Sequence, residues 1–160
     1  MNTISSTEGD RADFPGLLTR YLLRGETTGG GFALVEHEIP PRTLAAPTHM
    51  HQHEDEYSFV LEGRVGVLIG DEEMEAGPGE LVLKRRGVPH AFWNAHDEPA
   101  RLLELISPAG FERYFEEMAP HLSAGGPPDL EQVGAIQARY GLSMDRDSIA
   151  ELSERHGLGR

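Results

Sequence analysis

The chain has 160 residues with 27 acidic and 14 basic side chains, and its formal net charge of −13 disfavours nucleic acid and anionic membrane surfaces as partners. It contains no cysteine, which excludes disulfides, thiolate metal ligands and cysteine nucleophiles, so any bound metal must be held by nitrogen and oxygen atoms. No apolar run is long enough to cross a bilayer and the first residues lack the apolar core of a signal peptide, so we expect one cytoplasmic domain.

The first third of the chain predicts an arm followed by two strands. Residues 1–16 are polar and interrupted by glycine and proline, so we expect a flexible N-terminal arm. Strands are predicted over 17–24 and 31–39, and the second ends at Pro40 because proline cannot donate a hydrogen bond to a sheet. Alternation along that strand favours His37 as a strand residue on a polar face rather than a metal ligand.

A histidine-rich segment over 48–56 is the strongest chemical signal in the chain. His49 and His51 are two residues apart, so on an extended chain both imidazoles project from the same face. Glu56 can join them only if the charged step before it bends the chain. Two imidazoles and a carboxylate suit a divalent transition metal, and the alternative is a solvated, charged loop.

The region up to residue 107 reads as short strands joined by glycine- and proline-containing turns. The predicted strands are 57–61, 64–69, 72–75, 81–84, 91–94 and 100–106. Many short strands at regular spacing predict an antiparallel sandwich or barrel. The segment 79–94 adds His90 as a further candidate ligand and Asn94 as either a second-shell residue or a structural one.

Helices are predicted after Pro108. They cover 110–118, 129–140 and 148–156, and a Gly/Pro linker over 123–128 separates the first two. Asp129 with Gln132 resembles a capping box at the start of the second helix. We therefore divide the chain into the arm 1–16, a barrel over 17–107 and a C-terminal helical segment over 108–160. We expect its part from about residue 129 to residue 158 to lie outside the barrel and to be dispensable for metal binding, with a lid over the barrel mouth as the alternative.

Two motifs resemble those of the cupin superfamily. The first is His49-x-His51-x4-Glu56-x6-Gly63, although Thr43 stands where the superfamily has its opening glycine. The second reads Gly79-x5-Arg85-x-Gly87-x2-His90-x3-Asn94, with arginine where the superfamily has proline. Within the superfamily, the chain is most similar to small single-domain proteins resembling quercetin dioxygenases.

The resemblance implies an all-β fold, namely a double-stranded β-helix (jelly-roll) barrel, here with a C-terminal helical extension. It implies one divalent transition metal held by His49, His51, Glu56 and His90. Iron, nickel, manganese, zinc and cobalt are not distinguished by this ligand set. Glu56 is also a candidate catalytic base if it leaves the metal.

Three histidines compete for the two positions of the first motif. His49, His51 and His53 share one strand parity, so parity does not choose between them. The pair 49/51 leaves four residues before Glu56, enough for the chain to turn back to the same ion. We therefore assign His53 to the barrel rim or to a position behind the metal ligands, and not to the metal itself.

These observations predict a metal-dependent cupin that binds a small molecule and acts as a dioxygenase on an aromatic or enolic substrate. The alternatives are a non-oxidative isomerase, cyclase or decarboxylase, and a binding protein without turnover. A homodimer is expected because Tyr57, Phe59 and Leu61 face outward and need a cover. That cover is either the helix over 111–118 with the C-terminal tail or a second subunit.

Overall fold

The protein is described by a computed structural model that covers residues 3–5, 7, 9–123 and 125–159. The strands in these residues are β1 (Arg11–Phe14), β2 (Leu17–Leu23), β3 (Ala33–Ile39), β4 (Thr43–His51), β5 (Asp55–Glu62), β6 (Val65–Ile69), β7 (Glu72–Ala76), β8 (Leu81–Lys84), β9 (His90–Asn94), β10 (Ala100–Ser107) and β11 (Leu142–Met144). The helices are α1 (Glu112–Leu122), α2 (Leu130–Arg139) and α3 (Ser148–His156).

The strands form two antiparallel sheets. The first has the order β1-β2-β3-β10-β5-β8 and the second has the order β11-β4-β9-β6-β7. Along β5, Glu56, Ser58 and Val60 are buried while Phe59 is exposed, so alternate residues face the interior as the sequence predicted. Two antiparallel sheets with helices after them confirm the predicted fold class of a jelly-roll barrel with a C-terminal helical extension.

The core lies between the sheets and continues under α1. Tyr114, Phe115 and Met118 of this helix are buried, and they pack with the sheet residues of the core. A second, smaller cluster lies on the outer face of the second sheet, where Leu152 of α3 packs against Trp93. The Trp93 ring also stacks on His156, with 4.2 Å between ring centroids. The three helices therefore pack on different parts of the barrel.

Gly66 is required by the packing of Trp93. The two residues are paired across β6 and β9, and a Cβ at Gly66 would lie 2.2 Å from the indole nitrogen. Any side chain at Gly66 would therefore displace the ring.

The predicted arm contains a strand, so the division at residue 16 is wrong for its last part. Strand β1 pairs with β2, and its Ala12 is buried in the core. Its four residues are too few for a clear periodic pattern, and the strand forms by pairing with the edge of β2. Met1, Asn2, Ser6 and Glu8 of the predicted arm lie outside the described residues.

The C-terminal segment is not purely helical, and it contributes to a sheet. Strand β11 pairs with the end of β4, which places Leu142 opposite His51 and Met144 opposite His49. The Ser148 hydroxyl accepts a hydrogen bond from the backbone N–H of Thr48 at 2.9 Å. This segment is therefore attached to the strand that carries the two histidines, and the expectation that it lies outside the barrel is wrong.

The boundaries of α2 and α3 follow the sequence signals closely. The Asp129 carboxylate accepts hydrogen bonds from the backbone N–H groups of Glu131 and Gln132, as an N-cap does. Helix α1 runs further than predicted, and Ala124 of the predicted linker lies outside the described residues. None of the described helices is long and apolar enough to cross a membrane.

Candidate metal centre

Four side chains from three strands meet inside the barrel. His49 and His51 lie at the end of β4, Glu56 is the second residue of β5, and His90 begins β9 opposite His49. The ligand atoms of these four side chains lie within 4.8 Å of one another, and all four residues are buried. The turn between β4 and β5 provides the bend that the sequence required for Glu56 to reach the histidines.

Backbone carbonyls orient two of the imidazoles. His49 Nδ1 lies 2.7 Å from the carbonyl oxygen of Pro47, and His90 Nδ1 lies 3.0 Å from that of Val88. A carbonyl only accepts hydrogen bonds, so each Nδ1 carries the proton and each Nε2 presents a lone pair. This is the tautomer that a metal-binding histidine needs.

The unpaired nitrogens of the site fit a cation. Among the described residues, His90 Nε2 and both ring nitrogens of His51 are buried without a hydrogen-bond partner. His51 Nε2 lies 3.4 Å from one Glu56 oxygen and His90 Nε2 lies 3.3 Å from the other. Buried polar atoms left unpaired are costly, and a divalent ion among three imidazoles and a carboxylate would satisfy the Nε2 atoms of His51 and His90. His51 Nδ1 lies on the other side of the ring, 3.6 Å from Glu54.

The protonation states also favour a metal. Burial, reinforced by the neighbouring histidines, holds the pKa of His49 well below its ordinary value, and burial lowers the pKa of His90. For Glu56, burial alone would raise the pKa, but His51 and Lys84 outweigh it and hold the pKa well below the ordinary value. His51 differs, because Glu56 and Glu54 outweigh the effect of burial and raise its pKa. Protons therefore compete with a metal most strongly at His51.

A buried ion network lies directly beside the four donors. Lys84 Nζ is 3.0 Å from Glu56 and 3.0 Å from Glu104, and Ser58 donates a hydrogen bond to Glu104 at 2.8 Å. Lys84 and Glu104 are each only 1% exposed. Burial raises the pKa of Glu104 to about 7 even though Lys84 opposes this shift. The sequence reasoning missed both residues, although each lies at an inward position of its strand among apolar neighbours.

His37 faces the interior and not a polar outer face, so its predicted placement is wrong. Its Nδ1 lies 3.0 Å from the Thr19 hydroxyl, and its ring meets Phe115 edge-on. Burial and the charge of Lys84 lower the pKa of His37 to about 3. The side chain lines the same small cavity as His49, His51 and Glu56 but is not one of the donors.

The remaining candidates lie away from the donor cluster. His53 is exposed at the turn between β4 and β5, and Arg85 is exposed after β8. Asn94 is buried, and its amide donates hydrogen bonds to the carbonyls of Ile39, Pro40 and Glu98. Asn94 therefore has the structural role and fastens the loop after β9.

Comparisons with known proteins agree on the family. The cupin domain family (Cupin_2) matches residues 35–106. The tetracenomycin polyketide synthase protein TcmJ of Streptomyces glaucescens is 31% identical over 91 residues, which are 56% of this chain and 60% of TcmJ. The chain thus spans less than two thirds of the length of that relative.

Solved structures extend the comparison to the fold. The polyketide cyclase RemF of Streptomyces resistomycificus is 30% identical with a TM-score of 0.57, over 67% of this chain and 79% of RemF. KdgF from Halomonas sp. gives a TM-score of 0.61 at 17% identity, over 70% of this chain and 97% of KdgF, and supports the fold alone. With both motifs present and their histidines gathered in one barrel, the chain belongs to the cupin family.

Proposed function

We propose that this protein is a metal-dependent cupin enzyme that closes a ring in an enolic, polyketide-like substrate without consuming oxygen. The observation that carries the proposal is the buried donor set of three histidines and a glutamate in a chain 30% identical to a polyketide cyclase. The 31% identity to a polyketide synthase protein supports the same substrate class.

A divalent ion held by His49, His51, Glu56 and His90 would act as a Lewis acid that polarises a substrate carbonyl or enol oxygen. In the ring closure, a bond forms between an α-carbon and a ketone carbon, the α-proton moves to the ketone oxygen, and water leaves afterwards. This reaction needs groups that hold and move protons in a site from which bulk water is excluded.

Residues of this chain meet that need. Lys84 lies between Glu56 and Glu104 and keeps both carboxylates in place. His37 is held neutral with its Nδ1 3.0 Å from the Thr19 hydroxyl, so it would meet a substrate as a hydrogen-bonding group and not as a base. Phe111 packs against His51 with 4.3 Å between ring centroids and shields the donors from water.

Dioxygenation, the leading prediction from the sequence, is the alternative that the donor set itself favours. Four protein ligands leave two positions on an octahedral ion, which suffices for a substrate oxygen and dioxygen. The two polyketide relatives favour ring closure over this alternative.

The test is an anaerobic assay of the protein reloaded with single divalent metals, using aromatic poly-β-ketones and product analysis by mass spectrometry. We expect a cyclised product that has lost water, no product after chelation, and recovery when the metal is returned. The His51→Ala variant should be inactive and the His53→Ala variant active. Product that forms only in air and contains added oxygen atoms would replace ring closure with dioxygenation.

A further inference from the structure

The cavity at the metal centre is too small for an aromatic substrate. Its volume is about 50 Å³, far below the volume of about 300–1,000 Å³ typical of small-molecule sites. A separate cleft of about 680 Å³ lies next to it, within the range of about 300–1,000 Å³ typical of small-molecule sites.

The cleft lies between the barrel and all three helices. On the barrel side it is lined by the turn after β1 and the first half of β4, and on the other side by α1, α2 and α3. The cleft and the metal cavity are directly adjacent, because five residues line both: Phe14, Ala45, Pro47, Tyr114 and Met144.

The charged side chains that line the cleft are basic, although the chain as a whole is acidic. Its lining is mostly apolar, and its charged side chains are Arg42 and Arg146, with no carboxylate among the described lining residues. The whole chain carries 27 acidic and 14 basic residues, so a purely basic lining runs against its composition. Arg42 pairs with Asp97 at 2.8 Å, whereas Arg146 is exposed with no carboxylate within 4.0 Å in the described part of the chain.

The walls favour a flat ligand over a flexible one. The rings of Phe14 and Tyr114 and five prolines, Pro15, Pro40, Pro41, Pro47 and Pro128, all contribute to the lining. Rigid rings present flat surfaces against which an aromatic system packs well at little entropic cost.

We propose that the cleft binds the body of a polycyclic aromatic anion, with Arg146 facing its carboxylate or phenolate. The reacting end of the ligand passes Tyr114 and Met144, which line both spaces, to reach the metal centre. This last step rests on the proposed function, but binding of the aromatic body in the cleft does not.

The test measures binding of anthracene-2-carboxylate to the full chain by fluorescence anisotropy, with anthracene-2-carboxamide as the neutral probe. Val133→Trp fills the cleft from α2, and Ala138→Trp is its control because Ala138 is exposed on the same helix and does not line the cleft. Arg146→Glu reverses the free charge, and Arg85→Glu makes the same change at an exposed arginine outside the cleft.

We expect the carboxylate to bind more tightly than the amide and Val133→Trp to weaken both about tenfold, which is about 1.4 kcal/mol. Arg146→Glu should weaken the carboxylate about three- to tenfold and the amide little, while both controls bind as the wild type does. Because Arg146 is exposed, this variant remains informative if Val133→Trp fails to fold.

Wild-type affinity in both Val133→Trp and Arg146→Glu would overturn the proposal, because the probe would then bind elsewhere. Tighter binding of dodecanoate, tested by competition, would overturn the aromatic assignment. Probe binding should survive chelation of metal, since no donor residue lines the cleft. A protein that binds the probe but closes no ring would contradict the proposed function alone.

Discussion

Glu56 is the residue at which the metal centre and the buried ion network meet. One of its oxygens lies near His51, while the other lies near His90 and 3.0 Å from Lys84. The lysine therefore neutralises the carboxylate when no metal is bound, and it restrains its position when one is. A metal added to this site joins a set of groups that are already oriented.

The histidine register makes a prediction about single residues. His51→Ala removes a buried donor and should lose most of the bound metal, measured as metal per chain by elemental analysis after reloading and dialysis. His53→Ala removes an exposed imidazole of the same segment and should keep the wild-type metal content. An empty site in His53→Ala with a full one in His49→Ala would mean that the register is shifted to 51/53.

His37 should make the folded protein sensitive to acid. Its pKa is about 3 when folded and 6.5 ordinarily, so between these values the unfolded chain binds a proton that the folded chain does not. Its contribution to stability is therefore complete above pH 6.5 and is lost as the pH falls towards 3. Between pH 7 and pH 5 this loss is on the order of 2 kcal/mol.

Urea unfolding at these two pH values, with chelator present, tests this expectation. The wild type should lose more free energy of unfolding than His37→Gln, in which the amide can still bond Thr19. His53→Gln is the matched control and should keep the wild-type difference, because His53 is exposed. Equal losses in the wild type and in His37→Gln would show that this imidazole is not held neutral by burial.

Strands and helices could be predicted from the sequence wherever their own residues carry a local signal. Strands β5, β8 and β10 show alternating burial, and α2 starts at its predicted cap. Strands β1 and β11 have only four and three residues, too few for a periodic pattern, and they form because a neighbouring strand offers an open edge.

The same distinction applies to the site. His49, His51, Glu56 and His90 lie in two local motifs, so their convergence could be predicted from spacing. Lys84, Glu104 and His37 come from three different strands, and only the pairing of those strands brings them together. A single sequence shows which residues of a strand share a face, but not which residues of other strands lie beside them.

Truncation tests the role of β11. We expect a chain ending at Ser123 to bind metal more weakly than the full chain, because the end of β4 with His49 and His51 would lose its hydrogen-bonded neighbour. This replaces the expectation from the sequence that the segment is dispensable. Metal per chain in the folded, truncated protein is the measurement, and deletion of residues 1–8 is the control. Full metal content after the C-terminal truncation would restore the original view.

One broad surface of the protein is not covered by any helix of the described chain. It is the outer face of the first sheet, where Phe59 is 40% and Leu81 61% exposed and the two are directly paired across β5 and β8. Helix α1 packs on β1 and α2, and α3 packs on β4, so none of these helices covers that face. Of the two covers that the sequence left open, the second subunit is the one that the helix positions favour.

We propose that two copies of the chain pair through this face. A row of apolar side chains next to the edge strand β8 gives both an apolar contact and an open ladder for a second copy. Sedimentation velocity at micromolar concentration should therefore give twice the chain mass of 17.6 kDa.

Leu81→Asp should shift the protein to the monomer without unfolding it, because the change lies at a mostly exposed position and only the paired state would bury the carboxylate. Met74→Asp is the matched control, since Met74 is 40% exposed on β7 of the other sheet and should leave the dimer intact. A wild-type protein that sediments as a single 17.6 kDa species would rule out the dimer. Equal dissociation by both variants would place the interface elsewhere.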